Sequence, residues 1–187
     1  KHKGIVLHNK AVFNKDCTLS FNHEGSDGGR VDNNPKVGMS VKAKGIKKIL
    51  EEEGPFDYIK MDIEGSESVV ISECRGLLEQ TKYFFCEYHS FEHEEQKLND
   101  ILSILRKEGF RINIQTLSIC KQPFLAPTSR SGFDMQLNIF AWKLWLLQCK
   151  GLKKISILIW KGIKAYMCGI IGSITKERMS KSSIDKL

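Results

Sequence analysis

The 187-residue chain is 41% hydrophobic and 27% charged, a composition that is typical of globular proteins and excludes a disordered or fibrous chain. Its net charge of +7 is uneven, because residues 1–142 carry 19 basic and 20 acidic side chains whereas residues 143–187 carry 10 and 2. The balanced first region therefore gives no indication of nucleic-acid binding. Six scattered cysteines exclude a disulfide-rich fold and favour free thiols in a reducing cytosol.

The first part of the chain predicts short strands and one helix. It opens on Lys1-His2-Lys3 without an apolar leader, so we expect a fragment or a processed chain. Strand patterns occupy residues 5–7 and 37–41, and apolar residues recur at helical spacing in residues 44–53. The glycine-rich segment 25–29 precedes no helical pattern, and we interpret it as a loop rather than a phosphate-binding turn.

A strand pattern with a charged end follows Gly54 and Pro55. Alternate residues of a strand share a face, and one face of this strand is charged. That face consists of Lys60, Asp62 and Glu64. A strand end exposed to water would explain the pattern without any function. However, ligands of open α/β sheets bind at the carboxyl ends of the strands, so these carboxylates are candidate site residues.

A second bulky strand pattern, residues 82–89, also becomes ionisable at its carboxyl end, where Glu87 and His89 share a face. If the two strands are parallel neighbours joined by the helix predicted after Ser66, their ends lie about 5 Å apart. Asp62 and Glu64 would then surround one patch together with Glu87 and His89. A histidine beside carboxylates is a candidate base, because negative charge raises its proton affinity.

The following segment predicts a helix, a strand, a loop and a closing strand. Apolar residues recur at helical spacing between Leu98 and Gly109. Residues 110–116 alternate as a strand, residues 122–132 contain two prolines and form a loop, and residues 135–142 form the last strand of this region.

Two of these motifs together resemble a known family. Residues 60–67, with the sequence Lys-Met-Asp-Ile-Glu-Gly-Ser-Glu, followed by Glu87-Tyr88-His89 at a strand end, are similar to the FkbM family of S-adenosylmethionine-dependent methyltransferases. The resemblance extends over roughly residues 5–142. It implies an α/β fold with a class I methyltransferase (Rossmann-like) sheet, helices on both faces and an antiparallel last strand. The family's first two strands, which carry its main cofactor motif, have no counterpart here, so we expect an N-terminally incomplete sheet with an exposed strand edge.

The resemblance also implies a reaction, in which a methyl group passes from S-adenosylmethionine to a hydroxyl of a sugar, glycan or polyketide-like acceptor. His89 is the predicted base, Glu87 or Glu64 would orient it, and Asp62 would lie near the methionyl part of the cofactor or the acceptor hydroxyl. Residues 9–12 resemble the family's segment beside the adenine ring. The predicted cofactor-binding residues are Asn9, Lys10, Ala11, Lys60 and Asp62.

Residues 143–187 are interpreted as a separate basic tail behind a partial methyltransferase domain of residues 1–142. Wound as a helix, the tail places lysines along one stripe and apolar residues on the opposite side. Such a helix suits a membrane interface, although packing on the core or on a partner is an equal alternative. Lys161 and Lys164 argue against a membrane span. We therefore predict a cytoplasmic protein, peripheral at a membrane if residues 143–174 bind one.

Two other classes of function fit the same residues. The chain could be a non-catalytic binding or scaffold remnant of a methyltransferase domain. It could also be a metal-dependent hydrolase that uses Asp62, Glu64 and Glu87, since carboxylates are ligands for Mg²⁺. No metal-ligand pattern exists beyond this acidic patch, and we predict no metal. The acceptor and the oligomeric state are left open.

Overall fold

The computed structural model describes residues 5–24, 28–32, 39–117, 122, 124–125, 132–144, 155–160 and 172–177. These residues form a mixed α/β fold with eleven strands in two sheets and three helices. The strands are β1 (Ile5–His8), β2 (Ala11–Phe13), β3 (Cys17–Glu24), β4 (Gly28–Asp32), β5 (Met39–Gly45), β6 (Tyr58–Met61), β7 (Tyr83–Phe91), β8 (Arg111–Thr116), β9 (Phe133–Trp142), β10 (Ile155–Trp160) and β11 (Gly172–Glu177). The helices are α1 (Ile46–Glu53), α2 (Glu67–Ser72) and α3 (Leu98–Lys107).

The larger sheet contains seven strands in the order β1, β11, β10, β6, β7, β9, β8. Its centre is parallel, because β6 pairs in parallel with β10 on one side and with β7 on the other. Strand β9 runs antiparallel to both β7 and β8. The parallel pairing of β6 with β7 and the antiparallel direction of β9 confirm two of the sequence-based predictions.

The smaller sheet contains four strands in the order β2, β5, β3, β4. Strand β5 leads directly into α1, and the Asp16 side chain fixes this junction by accepting a 2.8 Å hydrogen bond from the Gly45 N–H. Gly28 and Gly29, which were interpreted as part of a loop, begin β4 instead. Residues 25–27 of that segment lie outside the described residues.

The core forms where α2 and α3 pack against each other, with α2 also contacting β7. Alternate side chains of the two central strands contribute to this core. Ile59 and Met61 of β6 and Phe84 and Cys86 of β7 are fully or almost fully buried. The opposite face of β6, with Lys60, is only partly buried. This less buried face of β6 carries the charged residues, and the expected helices on both faces of the sheet stay a prediction.

The helix predicted for the tail is wrong where the structure describes it, because residues 155–160 and 172–177 are strands. The sequence of β10 explains the difference, since β-branched isoleucine occupies every second position and favours extended backbone. Pairing with β6 and β11 then satisfies the backbone of β10 on both sides. The sheet edge beside β6 that was expected to be exposed is thus paired. The other tail residues beyond 144 lie outside the described residues.

Lys143, the first residue after the predicted boundary at Trp142, contacts the folded region. Lys143 is buried, and its ammonium donates hydrogen bonds to the carbonyl oxygens of Leu78 at 2.6 Å and Glu79 at 2.8 Å. Lys143 therefore belongs to the folded region. Among the described residues, no helix is both long enough and apolar enough to cross a membrane.

Candidate active site

A tight turn connects β6 to α2 and carries the charged strand end. Within this β6–α2 turn, residues 62–66, Glu64 has φ 53° and Gly65 has φ 98°, so both adopt the left-handed conformation. A Cβ atom on residue 65 would lie 2.7 Å from the Phe91 ring, which is closer than packing allows. Glycine at position 65 is therefore required both by the backbone conformation and by the aromatic ring of β7.

Glu67, the first residue of α2, ties this turn together. Its side chain is buried, and both of its carboxylate oxygens accept the Gly65 N–H at 3.0 Å. One of them also lies 3.3 Å from the Ile63 N–H. The carboxylate thus satisfies backbone donors of the turn that would otherwise be buried without partners.

His89 on β7 lies at the centre of the cluster, and its side chain is 1% exposed. Its Nδ1 is 3.1 Å from Oε1 of Glu67. Its Nε2 lies 3.5 Å from Oε1 of Glu87 and 3.6 Å from Oε2 of Glu64. The ring packs against Phe133 of β9 with a centroid separation of 5.3 Å. Both ring nitrogens therefore face carboxylates.

These contacts decide the charge of His89. Burial alone would lower the pKa of the imidazole, but the hydrogen bonds to Glu67 and Glu87 outweigh burial and raise the pKa to about 10. The hydrogen bond to His89 in turn lowers the pKa of Glu87. At neutral pH the ring is an imidazolium that has no free lone pair to accept a proton. The role of His89 as the base stays a prediction, and it requires the deprotonated form of the ring, which these contacts disfavour.

The pKa values of Asp62 and Glu64 are raised, in contrast to that of Glu87. Burial, followed by the nearby charge of Glu87, raises the pKa of the Asp62 carboxyl. Burial likewise raises the pKa of Glu64, against the effect of His89. Asp62 contacts the Lys60 ammonium at 3.4 Å, and its side chain is 17% exposed. Within the cluster, these two carboxylates are the ones whose affinity for a proton is raised while they remain partly accessible.

Gln136 completes the cluster from β9, opposite His89 in the strand register. Its Nε2 donates a 2.9 Å hydrogen bond to Oε1 of Glu87 and lies 3.4 Å from Nε2 of His89. Gln136 was not predicted from the sequence, because nothing local distinguishes it and only the antiparallel register places it here. Glu67 was likewise not predicted as a site residue. The location of Glu67 within the recognised motif, in the first turn after Gly65, was the signal that could have indicated it.

The structure brings together Asp62, Glu64, Glu87 and His89, whereas the role of the predicted cofactor-binding residues stays a prediction. Lys60 adjoins this cluster through Asp62. Asn9 and Lys10 lie between β1 and β2, and β2, which begins at Ala11, contacts α2. Asn9 and Lys10 are exposed there, whereas Ala11 is buried in the core.

Asp62, Glu87 and His89 also have the residue types of a metal site, with potential ligand atoms within 4.8 Å of one another. A histidine binds a metal through a deprotonated ring nitrogen. In this arrangement the carboxylates favour the imidazolium form of His89, in which both ring nitrogens carry protons. Around His89 these contacts are those of ion pairs, and a metal bound here would have to displace a proton from the ring.

Comparison with known proteins adds one finding. The methyltransferase FkbM domain model matches residues 4–112, which is more than half of the chain and includes α2 and most of the cluster around His89. Neither the curated proteins nor the solved structures contain a match to this chain.

Proposed function

Because the chain belongs to the FkbM methyltransferase family, we propose that it transfers a methyl group from S-adenosylmethionine to a hydroxyl oxygen of a sugar, glycan or polyketide-like acceptor. The observation that carries the proposal is the cluster of carboxylates at the carboxyl ends of β6 and β7, inside the matched region. Ligands of α/β sheets bind at this edge. The parallel pair β6 and β7 and the antiparallel β9 also support a class I methyltransferase arrangement of the sheet.

The residues at this edge fit the proposed cofactor in charge. The cluster has more acidic than basic groups, namely Asp62, Glu64, Glu67 and Glu87 against Lys60 and His89. S-adenosylmethionine would supply a methyl group activated by the positive sulfonium. An excess of carboxylates suits that cation, while the Lys60 ammonium suits the methionyl carboxylate. The same excess disfavours an anionic acceptor and is consistent with a neutral hydroxyl compound.

The residues of the cluster would have separate roles in the transfer. Asp62 accepts the proton of the acceptor hydroxyl, because a carboxylate with a raised pKa is a better proton acceptor and Asp62 remains partly exposed. Glu64 is the second candidate for this role. His89 provides a fixed positive charge that holds Glu64 and Glu87 together. Positioning of the acceptor supplies much of the rate.

Transfer of labelled methyl groups from S-adenosylmethionine to a panel of sugars, glycans and hydroxylated polyketides tests the proposal. We expect turnover by the wild type and a loss of about 10²- to 10⁴-fold in Asp62→Asn. Asp57→Asn is the matched control, because Asp57 pairs with Lys82 at 2.6 Å at the opposite end of β6. Activity of Asp62→Asn equal to that of the wild type would refute the role of Asp62.

Calorimetry with S-adenosylmethionine separates the enzyme from a non-catalytic remnant of the domain. Micromolar binding by the wild type supports the enzyme. Absence of both binding and transfer would favour a scaffold function instead.

A further inference from the structure

Glu67 differs from the other carboxylates of the cluster in its burial and in the number of elements it joins. Its side chain is 1% exposed, whereas the side chains of Asp62, Glu64 and Glu87 are 17%, 24% and 21% exposed. A buried carboxylate is costly unless it is paired and hydrogen-bonded. Glu67 meets that condition through the backbone of the β6–α2 turn on one side and through His89 of β7 on the other.

We propose that Glu67 is the positioning residue of this site, which ties the β6–α2 turn to His89 and thereby holds Asp62 and Glu64 against Glu87. The turn needs such a restraint, because Glu64 occupies a left-handed conformation that is unfavourable for a residue with a side chain. Glu67 supplies this restraint from α2, because its carboxylate accepts hydrogen bonds from the backbone of the turn. The expected effect of Glu67 on catalysis rests on the proposed methyl transfer. Its expected effects on the β6–α2 turn and on the charge of His89 do not.

Glu67 contributes a negative charge beside His89 and hydrogen-bond acceptors for the backbone of the turn. The other groups around His89 allow these two contributions to be separated. His89 faces Glu64 from the turn, Glu67 from α2 and Glu87 from its own strand. The groups that face it from β9, Gln136 and Phe133, are neutral. Asp62 contributes charge nearby.

Two variants change charge and length independently. Glu67→Gln keeps the length of the side chain and one acceptor for the Gly65 N–H, but it removes the nearest charge from His89. Glu67→Asp keeps the charge but is one methylene shorter, so it cannot reach both His89 and the turn. Asp57→Asn serves again as the control, since it removes a carboxylate from the opposite end of β6.

The experiment is a pH titration of the full-length chain by heteronuclear NMR, which follows the ring nitrogens of His89 and the amide of Gly65. His89→Gln assigns the imidazole signals among the five histidines. We expect His89 of the wild type to stay protonated until about pH 10. We expect Glu67→Gln to lower this midpoint and Glu67→Asp to accelerate hydrogen exchange of the Gly65 amide, with neither effect in Asp57→Asn.

Two results would overturn the inference. One is a wild-type His89 midpoint near the ordinary value of 6.5, a measurement that needs no variant to fold. The other is a His89 midpoint or a Gly65 amide that does not respond to either substitution of Glu67. Such results would show that the two elements are not coupled through Glu67.

Kinetics then connect the inference to catalysis. If Glu67 positions the reacting groups, Glu67→Gln lowers kcat about 100-fold and changes KM for the acceptor less than about threefold. An unchanged kcat with a shifted His89 titration overturns the positioning role. A wild type that transfers no methyl group refutes the proposed function, and in that case the NMR titration still decides whether Glu67 organises the turn.

Discussion

Oε1 of Glu67 and Nδ1 of His89 lie 3.1 Å apart, although the two residues are 22 positions apart in the chain and both side chains are almost completely buried. The contact joins the first turn of α2 to the carboxyl end of β7. Because β6 and β7 are parallel neighbours, the same contact brings the β6–α2 turn against the end of β7. A buried ion pair thus lies beneath the more exposed carboxylates on which the proposed chemistry depends.

The stability of the protein should depend on the protonation of His89. The pKa of His89 is raised from 6.5 to about 10 in the folded chain, so its protonation stabilises the fold fully below pH 6.5. This contribution declines as the pH rises from 6.5 and is lost above about 10. Urea unfolding of the wild type and of His89→Gln across this range measures it. A stability difference between the two proteins that does not change with pH would contradict the prediction.

Asp62→Asn should increase the free energy of unfolding at pH 7 while it lowers activity about 10²- to 10⁴-fold. Burial and Glu87 raise the pKa of Asp62, so its ionised form opposes folding at neutral pH. The gain in stability should diminish as the pH falls toward 3.8, the ordinary pKa of the group. Asp57→Asn, which loses an ion pair, should instead cost up to about 1 kcal/mol. A larger loss in Asp62→Asn than in this control would contradict the argument.

Gly65→Ala should destabilise the protein more than Gly76→Ala. Both glycines have positive φ, which costs about 1–2 kcal/mol for alanine. Only at position 65 would the new methyl group also collide with Phe91, which adds about 1–3 kcal/mol, whereas position 76 has open space. Chemical unfolding of the two variants measures the difference, and Phe91→Leu should reduce it. Equal costs at the two positions would rule out the collision.

Leu158→Pro should weaken the central sheet. Leu158 lies opposite Ile59 of β6 on one side and Ile174 of β11 on the other. Proline removes a backbone donor from a strand that is paired on both sides, at a cost of about 3 kcal/mol or more. Hydrogen exchange of the β6 amides should accelerate, and Leu158→Ala, which keeps the N–H group, is the control. Unchanged exchange in β6 would show that β10 does not pair there.

The sequence by itself determined the features that depend on local pattern. Alternation along β6 and β7 predicted two strands that become charged at their carboxyl ends, and the spacing of apolar residues predicted α3. The motif of residues 60–67 identified the family, which the match over residues 4–112 confirms. These features could be predicted because periodicity, turn residues and short motifs are properties of neighbouring residues.

Only the tertiary structure decided which side chains contact one another in the site. Glu67 contacts Nδ1 of His89 in addition to the predicted Glu87 and Glu64, which face Nε2. Gln136 enters through the register of β9. Pairing with β6 and β11 likewise decided β10, where Ile155 and Ile159 also fit the predicted helical face although the alternating isoleucines favour extended backbone. The charge of His89 depends on its burial and on its hydrogen-bond partners, which come from residues far apart in the chain. Neighbouring residues in the sequence do not determine which distant residues come into contact.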